Sequence, residues 1–259
     1  MGKKTINRIG EENYNNFGSK MIISKYRGCM DIDVYFPEYN WTFEHAQYNQ
    51  IKRGKIICPY EPRYYGIGYL GEGKYKTWEN GKNTTWFKIW YHMLERCYDP
   101  KYQEKYSTYR GCKVETYFLN FQNMGGWIED NYYEVPGERM CLDKDILFKG
   151  NKIYSRDTCI FVPERINLLF VKCDKSRGDC PIGATPTLSG NYQVRCWNGN
   201  GERISLGTYP TKEEAFKVYK QYKEKLIKET IDSYEGKIPE PFYSRLREAM
   251  YNYKVEIDD

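Results

Sequence analysis

The stretch that decides the fold is CLDKDILFKGNKIYSRDTCIFVPERIN, from Cys141 to Asn167. Apolar residues indicate a short strand at its start and a second strand over Cys159 to Val162, and the polar residues between them predict an irregular loop. Pro163 follows the second strand, and proline favours a helix start because its missing N–H would have no partner there. The order strand, loop, strand, helix predicts a small finger with Asn167 about one turn into its helix.

This finger has an acid at the end of its first strand and an amide on its helix. In both respects it resembles the HNH, or ββα-metal, endonuclease family. The resemblance implies that Asp143 and Asn167 hold a metal ion, and that Thr158, or Asp157, takes the structural position at the second strand. One Asp and one Asn suit Mg²⁺ or Mn²⁺, because such ions accept few protein ligands and keep several waters. The family's activity implies metal-dependent cleavage or nicking of double-stranded DNA.

Lys144 occupies the position where that family carries its general-base histidine. A free lysine has a pKa of about 10.4, too high for a base at neutral pH unless burial or a neighbouring cation lowers it. Three alternatives stay open. Lys144 binds a phosphate directly, His92 or Tyr154 serves as the base, or no cleavage occurs. The candidate catalytic residues are therefore Asp143, Lys144, His92 and Tyr154.

Residues 181–235 predict a second module downstream of the finger. The segment Tyr192 to Trp197 alternates in polarity as a half-buried strand does, and Asn198 to Gly201 supplies a hairpin turn into a returning strand. Thr211 is placed to cap a following helix, and Glu214 three residues later completes a capping box. This pattern predicts a three-stranded sheet packed on one helix.

The hairpin-and-helix pattern resembles the ethylene-response-factor (Apetala-type) DNA-binding module, copies of which accompany HNH nucleases of phages and mobile elements. The resemblance implies a sheet in the DNA major groove. Arg195, Trp197 and Arg203 are the expected base or phosphate contacts, because alternate residues leave the same face of a strand. Further cations are expected at phosphates. These are Lys212, Lys217 and Lys220 on the helix, and Lys52 and Arg53 in an N-terminal basic turn.

Residues 1–80 predict a small β-rich module. The segments Met21 to Tyr26 and Asp31 to Phe36 are rich in strand-forming residues and lie on either side of a glycine, which predicts a hairpin. The basic turn at Lys52 and Arg53 follows this hairpin, where it could contact phosphate.

Two helices are predicted between the N-terminal module and the finger. Apolar residues recur three or four positions apart at about 84–98 and again at 117–131. Gly66, Gly68 and Gly71 match the GxGxxG pattern of dinucleotide-binding proteins, but no amphipathic helix follows them directly. A dinucleotide site is therefore excluded.

The composition is that of an ordinary globular chain with a mild positive charge. The 259 residues include 40 Lys and Arg against 35 Asp and Glu, which gives a net charge of +5 that favours approach to phosphate. No apolar run reaches the roughly 20 residues that span a bilayer, and no apolar segment follows the basic N-terminus. The nine cysteines form no CxxC pair, so reduced thiols and no zinc site are expected. A cytoplasmic location is expected, in the bacterial host if the chain is phage-encoded.

The sequence thus predicts an α+β chain in four parts: residues 1–80, 81–175, 181–235 and a tail over 236–259. The first is a small β-module, the second a helical scaffold with the ββα-metal finger, and the third the sheet packed on one helix. The expected function is metal-dependent cleavage of double-stranded DNA. Two alternatives are a catalytically inactive DNA-binding accessory or regulatory protein of a phage, and an interaction factor that acts on a host protein. A homodimer is left open and no membrane partner is expected.

Overall fold

The computed structural model describes residues 7–171, 180–199 and 201–257. The fold is α+β, as the sequence predicts, with helices and several small sheets. The chain divides into two compact units, Met1–Trp127 and Ile128–Asp259, here called unit 1 and unit 2. Among the described residues, no helix is both long enough and apolar enough to cross a lipid bilayer.

A four-stranded antiparallel sheet forms the first part of unit 1. Its strands are β1 (Glu12–Tyr14), β2 (Lys20–Gly28), β3 (Asp31–Phe36) and β4 (Trp41–Ala46), each paired with the next along the chain. Its core is apolar, with Met21, Ile23, Ile32, Val34 and Phe36 fully buried. Both predicted strands are confirmed, and one further strand lies on each side of them.

The predicted basic turn is confirmed at Arg53 and Gly54, but Lys52 belongs to a short helix that precedes it. Helix α1 (Tyr48–Lys52) ends at Lys52, and Arg53 is its C-cap residue. Gly54 then turns the chain with a φ of 61°. A Cβ at this position would lie 2.6 Å from Oδ1 of Asn16, so both the backbone conformation and the space require glycine.

Short strands and helices complete unit 1. They are β5 (Trp78–Glu79), β6 (Lys82–Asn83), α2 (Thr85–Tyr98), α3 (Pro100–Lys105), β7 (Lys113–Val114), α4 (Thr116–Leu119) and α5 (Phe121–Asn131), the last of which runs into unit 2. Helix α2 confirms the helix predicted at 84–98, and Thr84 Oγ1 caps it by accepting the N–H of Phe87. The single helix predicted over 117–131 is wrong. Asn120 adopts an extended conformation between α4 and α5, and its Oδ1 accepts the N–H of Gln122.

The glycines of the GxGxxG match have a packing role. A Cβ on Gly68 would lie 2.4 Å from Cδ1 of Leu94 in α2. A Cβ on Gly71 would lie 2.3 Å from Oδ1 of Asn120. Both distances are far inside van der Waals contact, so glycine is needed where the chain passes closely over its neighbours.

The finger of unit 2 has the two predicted strands and the predicted helix, with one further short strand inside the predicted loop. Strand β8 (Met140–Asp143) is followed by β9 (Ile153–Tyr154), β10 (Ile160–Pro163) and α6 (Glu164–Leu168). Strands β8 and β10 pair antiparallel, with Asp143 opposite Ile160. The whole of β10 is buried, and the hydroxyl of Tyr133 donates to the carbonyl of Phe161 at 2.6 Å. Helix α6 starts directly after this buried strand and packs against both β8 and β10.

The C-terminal sheet and its helix are also confirmed. Strands β11 (Ala184–Pro186), β12 (Tyr192–Trp197) and β13 (Arg203–Tyr209) form an antiparallel sheet in that order, followed by α7 (Lys212–Asp232) and α8 (Phe242–Asn252). Thr211 Oγ1 accepts the N–H of Glu214 at 3.2 Å. This is one of the two hydrogen bonds of the predicted capping box. Beyond α8, Val255 is buried in the core of this sheet, so part of the tail belongs to the module.

Candidate nucleic-acid interface

The exposed side of the C-terminal sheet gathers three residues that the sequence predicts as DNA contacts. We call this side the outer face, and it comprises Gln193, Arg195, Trp197, Arg203, Ser205 and Thr208. In β12, Val194 and Cys196 are buried while Arg195 and Trp197 are exposed. The two-residue period of a strand therefore places these two side chains together on the solvent side.

Cross-strand pairing brings the second arginine to the same place. Arg203 lies opposite Trp197, and Ser205 lies opposite Arg195. The guanidinium carbon of Arg203 is 5.8 Å from the centre of the Trp197 ring, a distance at which the cation is attracted to the indole face. Trp197 nevertheless remains 54% exposed. The pair thus presents a flat aromatic surface and a positive charge side by side.

The outer face carries no negative charge of its own. Strands β11, β12 and β13 contain Arg195 and Arg203 but no Asp or Glu. The nearest acid along the chain is Glu202 in the turn, whose Oε2 accepts a hydrogen bond from Nδ2 of Asn198 at 2.9 Å. Asn200, which belongs to the predicted turn, lies outside the described residues. A face with two unopposed arginines attracts phosphate.

The opposite side of the sheet is sealed by helix α7. Val194, Cys196 and Ala184 pack with Ala215 and Tyr219 of the helix in one buried cluster. Full burial of an apolar side chain contributes about 1.5–3 kcal/mol, so this cluster fixes the sheet firmly on the helix. Burial also raises the pKa of the Cys196 thiol. The outer face is therefore a rigid platform.

The predicted helix lysines do not share the outer face, because α7 covers the other side of the sheet. Lys220 donates from Nζ to the carbonyl of Val255 at 2.5 Å and lies 3.3 Å from Oε1 of Glu224. Lys217 is exposed, and Lys212 is the first residue of the helix. The structure thus brings Arg195, Trp197 and Arg203 together, and places the three lysines on a separate surface.

Asp143, the predicted metal ligand of the finger, ends strand β8. Its Oδ1 accepts the backbone N–H groups of Asp145 and Ile146 at 2.8 and 2.7 Å. Burial of the carboxyl group, with repulsion from Asp145 added, raises its pKa to about 6. Both hydrogen bonds go to Oδ1, so among the described residues Oδ2 keeps its capacity to bind a cation. A desolvated carboxylate with one oxygen left is suited to a metal ion.

Lys144 and Tyr154, two of the candidate catalytic residues, lie together inside the finger. Lys144 is only 6% exposed, and its Nζ is 3.1 Å from Oδ2 of Asp145 and 5.8 Å from the centre of the Tyr154 ring. Tyr154 is 2% exposed. Lys144 is thus paired with an acid inside the finger, and its burial leaves it little access to solvent.

Two further predicted residues of the finger are Thr158, in the loop before β10, and Asn167, on helix α6. Thr158 Oγ1 donates to the carbonyl of Ile153 at 2.8 Å and lies 2.8 Å from Oγ of Ser155, which fits its predicted structural role. Asn167 is half-buried on α6, the helix that packs on β8 and β10. A carboxylate and an amide are a donor set that suits Mg²⁺ with waters completing its coordination.

Three predicted site residues belong to unit 1. His92 lies on α2, is exposed, and has its Nδ1 2.9 Å from Oε2 of Glu95. Lys52 and Arg53 are exposed at the end of α1, where the Nζ of Lys52 lies 5.9 Å from the centre of the Tyr48 ring. Each of these side chains is accessible to solvent.

A cluster of potential metal ligands in unit 1 was not predicted. One ligand atom each of Asp31, Asp33 and His45 lies within 4.8 Å of the others. Two cations already pair with the two carboxylates of this cluster. The guanidinium of Arg27 donates to Asp31 at 2.8 and 2.9 Å and also to Asp33, and Nζ of Lys25 lies 3.4 Å from Oδ2 of Asp33. The contact with Arg27 holds the pKa of Asp33 well below its usual range. A guanidinium thus takes the place that a metal ion would need, and the cluster is structural.

The polar residues Gln193, Ser205 and Thr208 of the outer face are a further feature that the sequence analysis did not name. Gln193 and Thr208 lie opposite each other in the sheet. Gln193 and Ser205 share the two-residue period of Arg195 and Arg203, which is the signal that could have identified them. Thr208 is out of that period, because the pairing of the two strands shifts between Val194 and Arg195. Comparison of the chain with protein-family models, with curated proteins and with solved structures found no match in any of the three.

Proposed function

We propose that this protein binds double-stranded DNA through the outer face of its C-terminal sheet. The observation that carries the proposal is the grouping of Arg195, Arg203 and the half-exposed Trp197 on one rigid face without a carboxylate. The major groove of B-form DNA is wide enough to admit a two-stranded β-ribbon. A cytoplasmic place of action, where chromosomal or phage DNA is present, accompanies this proposal.

The residues of the outer face divide by the contacts that they suit. A guanidinium donates two parallel hydrogen bonds to a guanine edge, so Arg195 and Arg203 suit base recognition. Ser205 and Thr208 carry hydroxyl groups that suit phosphate oxygens. The indole of Trp197 offers an apolar surface to a sugar or to a thymine methyl group.

A salt titration of duplex binding tests this proposal. The full chain is mixed with a short fluorescein-labelled duplex, and anisotropy is measured over a range of salt concentrations. Affinity should rise steeply at low salt, and Arg195→Ala should lower the slope of log K against log salt by about 0.9 if that arginine contacts a phosphate. Lys217→Ala is the matched control, since Lys217 is an exposed cation on the helix behind the sheet. Equal losses in both variants would show that duplex binding does not depend on the outer face. No duplex affinity even at low salt would contradict DNA binding altogether and favour a protein partner.

A second candidate function, metal-dependent nicking of the bound DNA, is favoured by the carboxylate at the end of β8. The raised pKa of Asp143 marks a charge that burial disfavours and a bound cation would stabilise. Asp143 and Asn167 would hold Mg²⁺ or Mn²⁺, which would polarise the scissile phosphate.

Plasmid relaxation separates the binder from the nickase. Supercoiled plasmid is incubated with Mg²⁺ or Mn²⁺ and with the wild type, Asp143→Ala or Asn167→Ala. Nicking that needs the metal and disappears in both variants supports the enzyme, provided that duplex affinity is unchanged. Duplex binding without nicking in the wild type would leave the DNA-binding proposal intact and reject the nickase.

A further inference from the structure

Unit 1 displays an aromatic hairpin that the proposed function does not use. Strands β5 and β6 pair Trp78 with Asn83 and Glu79 with Lys82. The two linking residues, Asn80 and Gly81, have φ values of 52° and 74°. Two consecutive positive φ angles are those of the tight turn that matches the natural twist of a hairpin. The segment therefore forms a defined projection just before helix α2.

The indole of Trp78 is presented to solvent on this hairpin. Trp78 is 59% exposed, and Asn83, its partner across the hairpin, is exposed too and offers no apolar cover. Tryptophan is highly buried on average in folded proteins, so an exposed indole on a small hairpin indicates a surface that meets a partner.

The base of the hairpin is held firmly by helix α5. The backbone N–H of Tyr75 donates to Oε1 of Gln122 at 2.9 Å, and Nε2 of Gln122 donates back to the Tyr75 carbonyl at 2.9 Å. The Tyr75 ring lies 5.0 Å from that of Trp86 and packs over Gly125, where a Cβ would come within 2.4 Å of it. These contacts fix the two ends of the segment and so limit the entropy lost on binding.

The same segment is positively charged. Residues 74–88 contain four lysines and one acid, Glu79, which gives a net charge of +3. The lysines are all exposed: Lys74, Lys76, Lys82 and Lys88. Glu79 lies 3.1 Å from Lys76. A groove of about 370 Å³ beside the hairpin is lined by two of these lysines, Lys74 and Lys76, and by one acid, Glu79, with Trp86 on the same wall.

We propose that this hairpin and its groove bind single-stranded DNA, with Trp78 stacked on an unpaired base and the lysines along the phosphates. Proteins that bind single strands combine aromatic side chains with a positively charged groove in this way. Within a duplex the faces of the bases are covered by their neighbours, and the segment 74–88 contains no arginine to reach base edges in a groove. This contact is additional to the outer face of unit 2 and needs a different form of DNA.

The test measures single-strand and duplex affinity separately on the full chain. The single-strand probe is fluorescein-labelled oligothymidylate, and the duplex probe is the one used for the outer face. Trp78→Ala should weaken oligothymidylate binding by about tenfold, the loss of one base–aromatic stack, and leave duplex affinity unchanged. Trp78→Phe keeps an aromatic ring and should retain most of the affinity. Because Trp78 is exposed, the variants should fold normally, which thermal melting verifies.

Lysine variants provide an independent readout. Lys82→Ala should reduce the salt slope of oligothymidylate binding by about 0.7, the value for one phosphate contact on a single strand. Lys101→Ala, an exposed lysine on α3, should not change it. Wild-type protein without affinity for oligothymidylate, or Trp78→Ala with unchanged affinity, would overturn the inference and leave the hairpin to a protein partner. If the protein binds oligothymidylate but not the duplex, only the proposed duplex binding by the outer face is rejected.

Discussion

The outer face of the C-terminal sheet and the finger both carry positive charge, but they hold it differently. On the outer face, Arg195 and Arg203 are exposed, and the strands that carry them contain no acid. In the finger, Lys144 is buried and lies 3.1 Å from Asp145. The arginines of the outer face are therefore accessible to a polyanion. The ammonium group of Lys144 instead pairs with an acid inside the protein.

This difference suggests different roles for the two regions, with DNA binding proposed for the outer face and metal binding proposed for the finger. A preorganised exposed face supplies affinity, because phosphate contacts release counterions. The half-buried carboxylate of Asp143 has a raised pKa, and strongly shifted pKa values occur often at functional sites. Unit 2 therefore holds both the proposed DNA-binding face, on the sheet, and the proposed metal site, in the finger. The predictions below test each side of this comparison.

The largest expected effect is on the platform itself. Gly183 has a φ of 79°, and a Cβ there would lie 2.0 Å from Cδ2 of Tyr219. Gly183→Ala adds strain from a left-handed backbone to a clash with the helix, so we expect a loss of about 3 kcal/mol in the free energy of unfolding. Urea unfolding measures it. Gly190 has a φ of 82° but open space around it, so Gly190→Ala should cost only about 1 kcal/mol. Equal losses would mean that the sheet does not depend on this contact.

The second prediction concerns the finger. The pKa of Asp143 is raised from 3.8 to about 6, so the folded state holds the proton more tightly than the unfolded state. The neutral carboxyl group therefore stabilises the folded state. This contribution is fully present below the unfolded-state pKa of 3.8 and is lost as the pH rises through the folded-state pKa of about 6. Asp143→Asn keeps an oxygen for both backbone N–H groups and removes the charge. It should therefore stabilise the protein by about 2 kcal/mol near about pH 8, with no gain near about pH 3.

Thermal melting of both proteins across this pH range checks the sign. Asp157→Asn is the matched control, because Asp157 is an exposed carboxylate of the same finger and its loss should change stability little. Added Mg²⁺ should raise the melting temperature of the wild type but not of Asp143→Asn. An Asp143→Asn protein less stable than the wild type near neutral pH would show that the carboxylate is a structural anchor.

The smallest effect is expected for the aromatic part of the platform. Trp197→Ala should lower duplex affinity by about fivefold, close to 1 kcal/mol, through lost contact with sugar or methyl groups. Its effect on unfolding should be small because the indole is half-exposed. Anisotropy and urea unfolding on the same preparation separate the two. A large loss of stability with unchanged affinity would make Trp197 a packing residue.

Short-range patterns allowed much of the fold to be predicted from the sequence. Strand alternation placed Arg195 and Trp197 on one face, and the strand, loop, strand, helix order of the finger followed from its apolar segments and Pro163. Each of these signals is local, since it depends on a two-residue period or on the preference of a single residue type. Thr211 likewise marked the start of α7 correctly.

The features that were missed depend on contacts between distant residues. The break at Asn120 could not be recognised because the apolar period continues through it, and Tyr69 pairs with Asn120 from far along the chain. Sequence spacing also does not say which side of a sheet a helix covers, so it could not show that Lys212, Lys217 and Lys220 lie on a surface separate from Arg195 and Arg203. The burial of Lys144 and its contact with Tyr154 likewise arise from folding of the loop.

Nuclear magnetic resonance mapping of the bound duplex on the full chain tests the central claim most directly. Backbone amide shifts are recorded while an unlabelled short duplex is added at low salt. We expect the shifts to concentrate in β12 and β13, above all at Arg195, Trp197 and Arg203, with little change along the exposed side of α7. Shifts that instead concentrate on α7, or that are absent from both strands, would contradict a DNA-binding outer face.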